Sequence, residues 1–448
     1  MRIVEGAEEA RATLLRRVPH EIPELPEVVR ETIRRVFGAE LGVEEVVDRI
    51  LRDVRTDGDA AIRRYNEALD GVHAPDVPLE VSADEIKAAY SEVEDSLVEA
   101  LRFAAGRIRA FHELQLQHSA TSFVSDGVGQ AVRPIARAGL YVPGTGVIYP
   151  STLLMIAIPA RVAGVAELFV ATPARPDGSV APLKLVAADI AGVDRVFRAG
   201  GVQGIGALAY GTESIPAVDK ICGPGNIFVT IAKKKLFGEV GIDGIFGPSE
   251  TLVVADKHAD PRLVAADLLA GAEHEELATA VLITDSRDLA ERVSEAVDRE
   301  VASLDRAEVA RTSLEARGGA VVTSSLDEAL DLASDFAAEH ACLHLRDAAR
   351  YVDRIRNAGC VFAGATSAES IGDYTAGPSH VMPTGGSARF TSPVGVHDFL
   401  KVTSTVGLTA EIARDVGPTG AQIARAEGFG GHARAIEARL TNEKDEQS

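Results

Sequence analysis

The feature that most limits what this chain can fold into is a change of hydrophobic rhythm at Gly139. Beyond it, short apolar runs of strand length alternate with amphipathic stretches of helix length. Runs at 168–172, 195–199, 250–255 and 280–284 read as strands. Helices are expected over 180–190, 203–210 and 261–275, and further short runs at 321–323, 342–344 and 361–363 continue the alternation. Strands that alternate with helices run parallel and are covered by those helices. The predicted fold class is therefore α/β. The stretch 139–364 is too long for one such unit, so two Rossmann-like parallel-sheet domains are expected.

Before Gly139 the period is helical. Val46, Val47, Ile50, Leu51 and Val54 form one stripe, Asp57-Gly58 breaks it, and Ile62, Tyr65 and Leu69 form the next. Another helix is expected from Ala83 to about Leu114, and residues 1–120 read as helical throughout. From Val394 the tail reads as helical again, with a charged, disordered end. The predicted organisation is an N-terminal arm over 1–25 and a first globular domain built from 26–140 together with 250–393. A second Rossmann-like domain covers 141–249, and a helical C-terminal tail covers 394–448.

Charge and cysteine usage exclude several classes. The net charge of −21 repels phosphate backbones, so nucleic acid is not an expected partner, and no membrane partner is expected either. The three cysteines, Cys222, Cys342 and Cys360, have no CxxC spacing and an odd count, which fits a reducing, cytoplasmic setting. The start of the chain carries Glu5, Glu8 and Glu9 and lacks the basic, then apolar, pattern of a signal peptide. The most apolar stretch, 149–174, contains Pro150, Pro159, Arg161 and Glu167, and reads as buried core instead of a membrane span.

Six stretches could carry chemistry. Gly200-Gly201-Val202-Gln203-Gly204 lies between a strand and a helix, and is either an anion cradle or a tight turn. Cys222-Gly223-Pro224-Gly225-Asn226 precedes another helix, which Asn226 could cap. Cys222 reads either as a thiol nucleophile or as a buried structural residue. Glu273-His274 closes a helix, with Gly271 one turn earlier on the same face. Glu339-His340 is expected to end a helix whose stripe is Leu326, Leu330, Ala333 and Ala337, opened by a Ser325/Glu328 capping box. An acid beside an imidazole suits acid–base work, and equally a solvated helix end. Asp373 and His380 share a Gly- and Pro-rich loop, and His432 follows Glu427 and Gly430-Gly431. HExxH, GxSxG and P-loop patterns are absent.

Taken together, these stretches resemble the histidinol dehydrogenase family. The matching segments include Gly139-Leu-Tyr-Val-Pro-Gly144, Val218-Asp-Lys-Ile-Cys-Gly-Pro-Gly-Asn226, Gly247-Pro-Ser-Glu250, Ala272-Glu-His274 and Ala338-Glu-His340. Gly372-Asp-Tyr374, Ser379-His-Val-Met-Pro-Thr-Gly-Gly386 and Ala426-Glu-Gly428 continue the series, collinear from about residue 40 to 440. The resemblance implies a homodimer with shared active sites, one zinc per subunit, and oxidation of an amino alcohol to an acid with two NAD reduced in succession. It implies NAD contacts at Tyr141, Gln203 and Asn226. It implies zinc ligands at His274, Asp373 and His432, the last reaching the partner's site through an exchanged tail. Substrate contacts are implied at Ser249, His340, Asp373 and Glu427. His340 is the implied main base, Glu339 the activator of water, and His380 an assistant at the substrate.

Two positions depart from the family pattern. Gly271 stands where the family carries a glutamine that binds zinc, and Ser379 where an asparagine is usual. Three protein ligands still form a workable zinc site, and Glu273 or Glu275 could swing in. Besides L-histidinol, the readings left open are a paralogue acting on another small polar alcohol, such as a sulfonated diol, and a non-catalytic ligand- or metal-binding protein. An acid at Glu427 suits a cationic amine and repels a sulfonate.

Overall fold

The computed structural model describes residues 1–17, 25–144 and 148–440. The charged end expected for the last residues falls at 441–448, outside the described residues. In chain order, strand β1 is Ile3–Glu5, β2 is Phe123–Ser125 and β3 is Val128–Pro134. Then come β4 (Arg137–Tyr141), β5 (Glu167–Thr172), β6 (Arg195–Arg198), β7 (Lys220–Cys222) and β8 (Gly241–Ile242). The last group is β9 (Glu250–Ala255), β10 (Thr279–Thr284), β11 (Gly318–Val322), β12 (His340–His344), β13 (Cys360–Ala363) and β14 (Leu400–Val406).

Two wholly parallel sheets result, as the alternation predicts. The first has five strands in the order β6-β5-β4-β7-β8. The second has six, β1-β11-β10-β9-β12-β13. In each, the chain winds outward one way from a starting strand and then reverses to its other side. That reversal opens a crevice at the strand ends, between β4 and β7 in the first sheet and between β9 and β12 in the second.

The period of two explains the layers. Val253, Ala255, Leu282, Ala320 and Cys342 project to one face of the six-stranded sheet and join one apolar cluster. Their neighbours Leu252, Val254, Ile283, Val321 and Leu343 project to the other face and join a second. Each face is covered by helices, so the sheet is buried on both sides. The stretch 149–174 is core as expected: the helix Pro150–Ala163 carries Leu153, Leu154, Met155 and Ile156, all fully buried, into β5.

Contacts divide the chain into two compact units, one of 1–117 and 135–399, the other of 118–134 and 400–448. The first holds both parallel sheets. The second is a three-stranded sheet, β14-β3-β2, with the helices Ala410–Ala426 and Gly430–Glu437.

Four local expectations need correction. Residues 1–120 are not helical throughout, because β1 pairs with β11 at the edge of the second sheet. The expected helix from Ala83 is broken into Ala83–Ala89 and Asp95–Gln117 by a short 3₁₀ turn. The tail is not purely helical either, since β14 pairs antiparallel with β3 over seven residues, a partner more than 260 positions away that no local period reveals. Lastly, Glu339-His340 does not end a helix. The helix stops at Phe336, Ala337 takes a left-handed φ of 57°, and His340 opens strand β12.

Candidate active site

The amino ends of β9 and β12 lie side by side, with His340 opposite Thr251. This register sets the site. His340 is only 3% exposed, and its two ring nitrogens lack a hydrogen-bond partner among the described residues. Nδ1 stands 3.6 Å from Glu369 Oε1 and 3.7 Å from Glu339 Oε2, and Nε2 stands 3.5 Å from Asp373 Oδ1. Burial disfavours a charge on this ring. The three carboxylates outweigh burial and raise its pKa to about 10.

Glu339 is buried beside it. Its Oε2 accepts from Ser249 Oγ at 2.7 Å and from the backbone N–H of Glu250 at 3.1 Å. Burial dominates over these donors and over His340, and pushes its pKa up to about 7. Glu369, on the short helix Glu369–Ile371, is 1% exposed and accepts from Thr251 Oγ1 at 3.0 Å. Burial raises it to about 7 as well. Burial works on Asp373 in the same sense, but the neighbouring His340 prevails and holds it below the usual carboxylate range.

His274 follows the helix Pro261–Ala272 and stands at the exposed rim. One ligand atom each from His274, Glu369 and Asp373 lie within 4.8 Å of one another, a donor set of one imidazole and two carboxylates that suits a divalent cation. His380 is engaged at both ring nitrogens. Nδ1 meets the carbonyl oxygen of Asp373 at 2.7 Å and Nε2 meets Thr152 Oγ1 at 3.0 Å. Thr152 lies near the start of the helix that follows β4, so the two sheets meet at this site.

The predicted nicotinamide contacts gather at the carboxyl edge of the first sheet. Tyr141 ends β4, and its hydroxyl accepts from the N–H of Gly201 at 3.0 Å. Gln203, 1% exposed, donates to Asp70 Oδ2 at 3.0 Å and Asn66 Oδ1 at 3.2 Å, while its own Oε1 has no partner among the described residues. Asn226 caps the helix Ile227–Leu236 by accepting from Phe228 and Val229. The loops after β4 and β7 touch: a Cβ on Gly223 would lie 2.1 Å from the carbonyl oxygen of Tyr141, so only glycine fits there. Cys222 is fully buried, and burial raises its thiol well above the usual value, which decides for the structural reading.

Sequence reasoning thus finds Glu339, His340, His380, Asp373, His274 and Ser249 brought together in one unit. It places Tyr141, Gln203 and Asn226 along one sheet edge. Glu427 and His432 are carried by the other unit. Glu273 and Glu275 do not take the place left by Gly271: Glu275 Oε1 accepts from Ser249 N at 3.3 Å, and the acid that enters the cluster is Glu369. Ser379 turns its hydroxyl to the N–H of Val381, 3.2 Å away. Glu369, Thr152 and Asp70 escape sequence reasoning, because nothing in their local spacing marks them. Among the described residues, no helix is long and apolar enough to cross a membrane.

Two parallel sheets that bring together a buried acid–imidazole pair and a carboxylate–histidine cluster define an α/β protein with a site suited to acid–base chemistry beside a cation. Comparison with known proteins narrows this. A family model described as histidinol dehydrogenase matches residues 34–440. A histidinol dehydrogenase of Deinococcus radiodurans is 50% identical over 443 residues, covering 98% of this chain and 100% of that one. One from Moorella thermoacetica is 49% identical over 415 residues, covering 92% and 98%. The crystal structure of histidinol dehydrogenase from Elizabethkingia anophelis superposes with a TM-score of 0.89 at 32% identity, covering 100% of this chain and 99% of that one. The chain belongs to the histidinol dehydrogenase family, and is a dehydrogenase.

Proposed function

We propose that the chain oxidises L-histidinol to L-histidine in two successive steps, with NAD as the acceptor and one zinc per subunit. The observation that carries this reading is the buried Glu339–His340 pair, flanked by Asp373 and His274. Oxidising one carbon twice requires a proton acceptor for the alcohol and a group that activates water against the aldehyde. An imidazole and a carboxylate held side by side can do both.

The residues present fit both cofactors. His274 and Asp373 supply nitrogen and oxygen donors within reach of one ion, and the unpartnered nitrogens of His340 face the same space. His432 completes the set from a second copy of the chain, which makes the functional form a homodimer with shared sites. Bound zinc supplies positive charge, which orients the polar substrate and offsets the carboxylates that hold His340 protonated. Tyr141, Gln203 and Asn226 would hold NAD beside the β4–β7 reversal, where it would supply the hydride acceptor.

The chain's own groups then act in order. Ser249 and Glu427 hold the substrate, the latter by its cationic amine. His340 takes the hydroxyl proton at Nε2 as the carbon loses a hydride, giving the aldehyde. Glu339 takes a proton from water as the water oxygen bonds to the aldehyde carbon, and His340 returns its proton to the carbonyl oxygen, giving the hydrate and a neutral imidazole. The hydrate gives its hydroxyl proton to His340 and a second hydride to the acceptor, leaving the acid. His380, tied to the Asp373 backbone, keeps that loop in place. Turnover of L-histidinol beside 2,3-dihydroxypropane-1-sulfonate tests the substrate. The reading expects NADH with the first alone, and NADH with the sulfonate alone would contradict it.

A further inference from the structure

Gly271 and Thr251 occupy one place. A Cβ on Gly271 would lie 2.2 Å from Thr251 Oγ1 and 2.6 Å from Thr251 Cβ. No side chain can start there while Thr251 keeps its rotamer. That rotamer is held, because the same hydroxyl donates to Glu369 Oε1 at 3.0 Å. Thr251 thus fills the volume above Gly271 and pins Glu369.

Glu369 is a carboxylate 1% exposed, with a hydroxyl and a thiol, Cys342 Sγ at 3.8 Å, as its hydrogen-bond donors. Neither donor carries a charge, so the burial of this acid is offset only by the nearby His340 ring. His340 stands off at 3.6 Å and bonds to neither Glu369 nor Asp373. One ligand atom each from His274, Glu369 and Asp373 lie within 4.8 Å of one another. Ligands about 2.0–2.2 Å from a tetrahedral zinc are separated by roughly 3.4 Å. Closing that gap takes shifts on the order of 1 Å, within the reach of side-chain rotation.

We propose that Glu369 is itself a metal ligand in this chain, pinned by Thr251 over Gly271, so that it joins His274 and Asp373 in one subunit and the partner's His432 completes the set. This rests on the reading that the chain binds zinc. Two carboxylates neutralise a dication, whereas a set without Glu369 leaves it a net charge.

The test is metal binding by the full-length, metal-free chain. Zinc is titrated in competition with a chromogenic chelator, and the visible absorption of the cobalt(II)-loaded form is recorded, for the unaltered chain, Glu369→Gln and Thr251→Val. Loss of even an outer hydrogen-bond partner of a ligand weakens binding about 10–100-fold, which is the expectation for Thr251→Val. Glu369→Gln should weaken it more than that and shift the cobalt band. If Glu369→Gln fails to fold, Glu369→Asp takes its place, with weaker binding and a shifted band expected. Unaltered affinity and an unaltered band in the Glu369 variant would overturn the proposal while leaving zinc binding intact. Absence of zinc binding by the unaltered chain would overturn both this and the reading on which it rests.

Discussion

Thr152 and His380 are joined by a 3.0 Å hydrogen bond between Oγ1 and Nε2, whose direction is set by the ring's other partner. The other ring nitrogen faces the carbonyl oxygen of Asp373 at 2.7 Å. A carbonyl only accepts, so Nδ1 carries the proton, and the Thr152 hydroxyl donates to the lone pair on Nε2. Thr152→Val leaves that lone pair buried without a donor, a loss of about 1–3 kcal/mol. The expected result is a kcat/KM for L-histidinol lower by about tenfold or more, with Thr152→Ser close to the unaltered chain. Equal rates for both variants would contradict the assignment.

Arg17 grips the turn before the acid–imidazole pair. Its guanidinium donates to the carbonyls of Phe336 and Ala337, pairs with buried Glu250, and lies 3.6 Å over the Phe336 ring. Ala337 carries a left-handed backbone conformation that alanine adopts only under constraint. Arg17→Ala frees this turn and strands a buried carboxylate, which should destabilise the chain by about 3 kcal/mol in denaturant unfolding. Lysine lacks the planar fork, so Arg17→Lys should recover only part of that loss.

Asp70 gives stability a pH slope of known sign. Burial raises its folded pKa to about 6 from an ordinary value of 3.8, against the pull of the Gln203 amide. The folded chain therefore holds a proton that the unfolded chain has released between these values. Stability falls as pH rises from about 4 to about 6, by on the order of 2 kcal/mol. Asparagine keeps an oxygen for Gln203 and does not ionise. Unfolding free energies measured across this window should show that Asp70→Asn loses this part of the slope and gains stability above pH 6.

Glu339→Gln separates the two oxidations. Its Oε2 receives Ser249 and Glu250, so an amide oxygen can keep that geometry while losing basicity. Oxidation of supplied aldehyde should slow by about 100-fold or more, the usual worth of a positioned base. The first hydride transfer, followed as a burst of NADH, should survive. Equal loss of both steps would contradict the division of labour between Glu339 and His340.

Much of this architecture is legible in the sequence because both sheets are buried on two faces and their strands read as short apolar runs. Val253 and Leu252 face opposite helix layers, yet both must be apolar. Legibility fails where a long-range partner overrides local pattern. The stripe Leu326, Leu330, Ala333 and Ala337 continues past Phe336, so the helix reads as running into His340, and the stop at a non-glycine residue carries no sequence signal. The β-branched residues Val402, Thr403, Thr405 and Val406 could have marked β14. Glu369 has no signal at all. Its partner Thr251 lies 118 positions away, a contact that local spacing does not reveal.

The central claim is that one site carries a carbon through both oxidations. The most direct test is the end-point ratio of NADH formed to L-histidinol consumed by the zinc-loaded chain, with the product identified. Two NADH for each L-histidinol, with L-histidine as the sole product, is the predicted result. A ratio of one with aldehyde released, or no NADH from a folded, zinc-loaded chain, would contradict it.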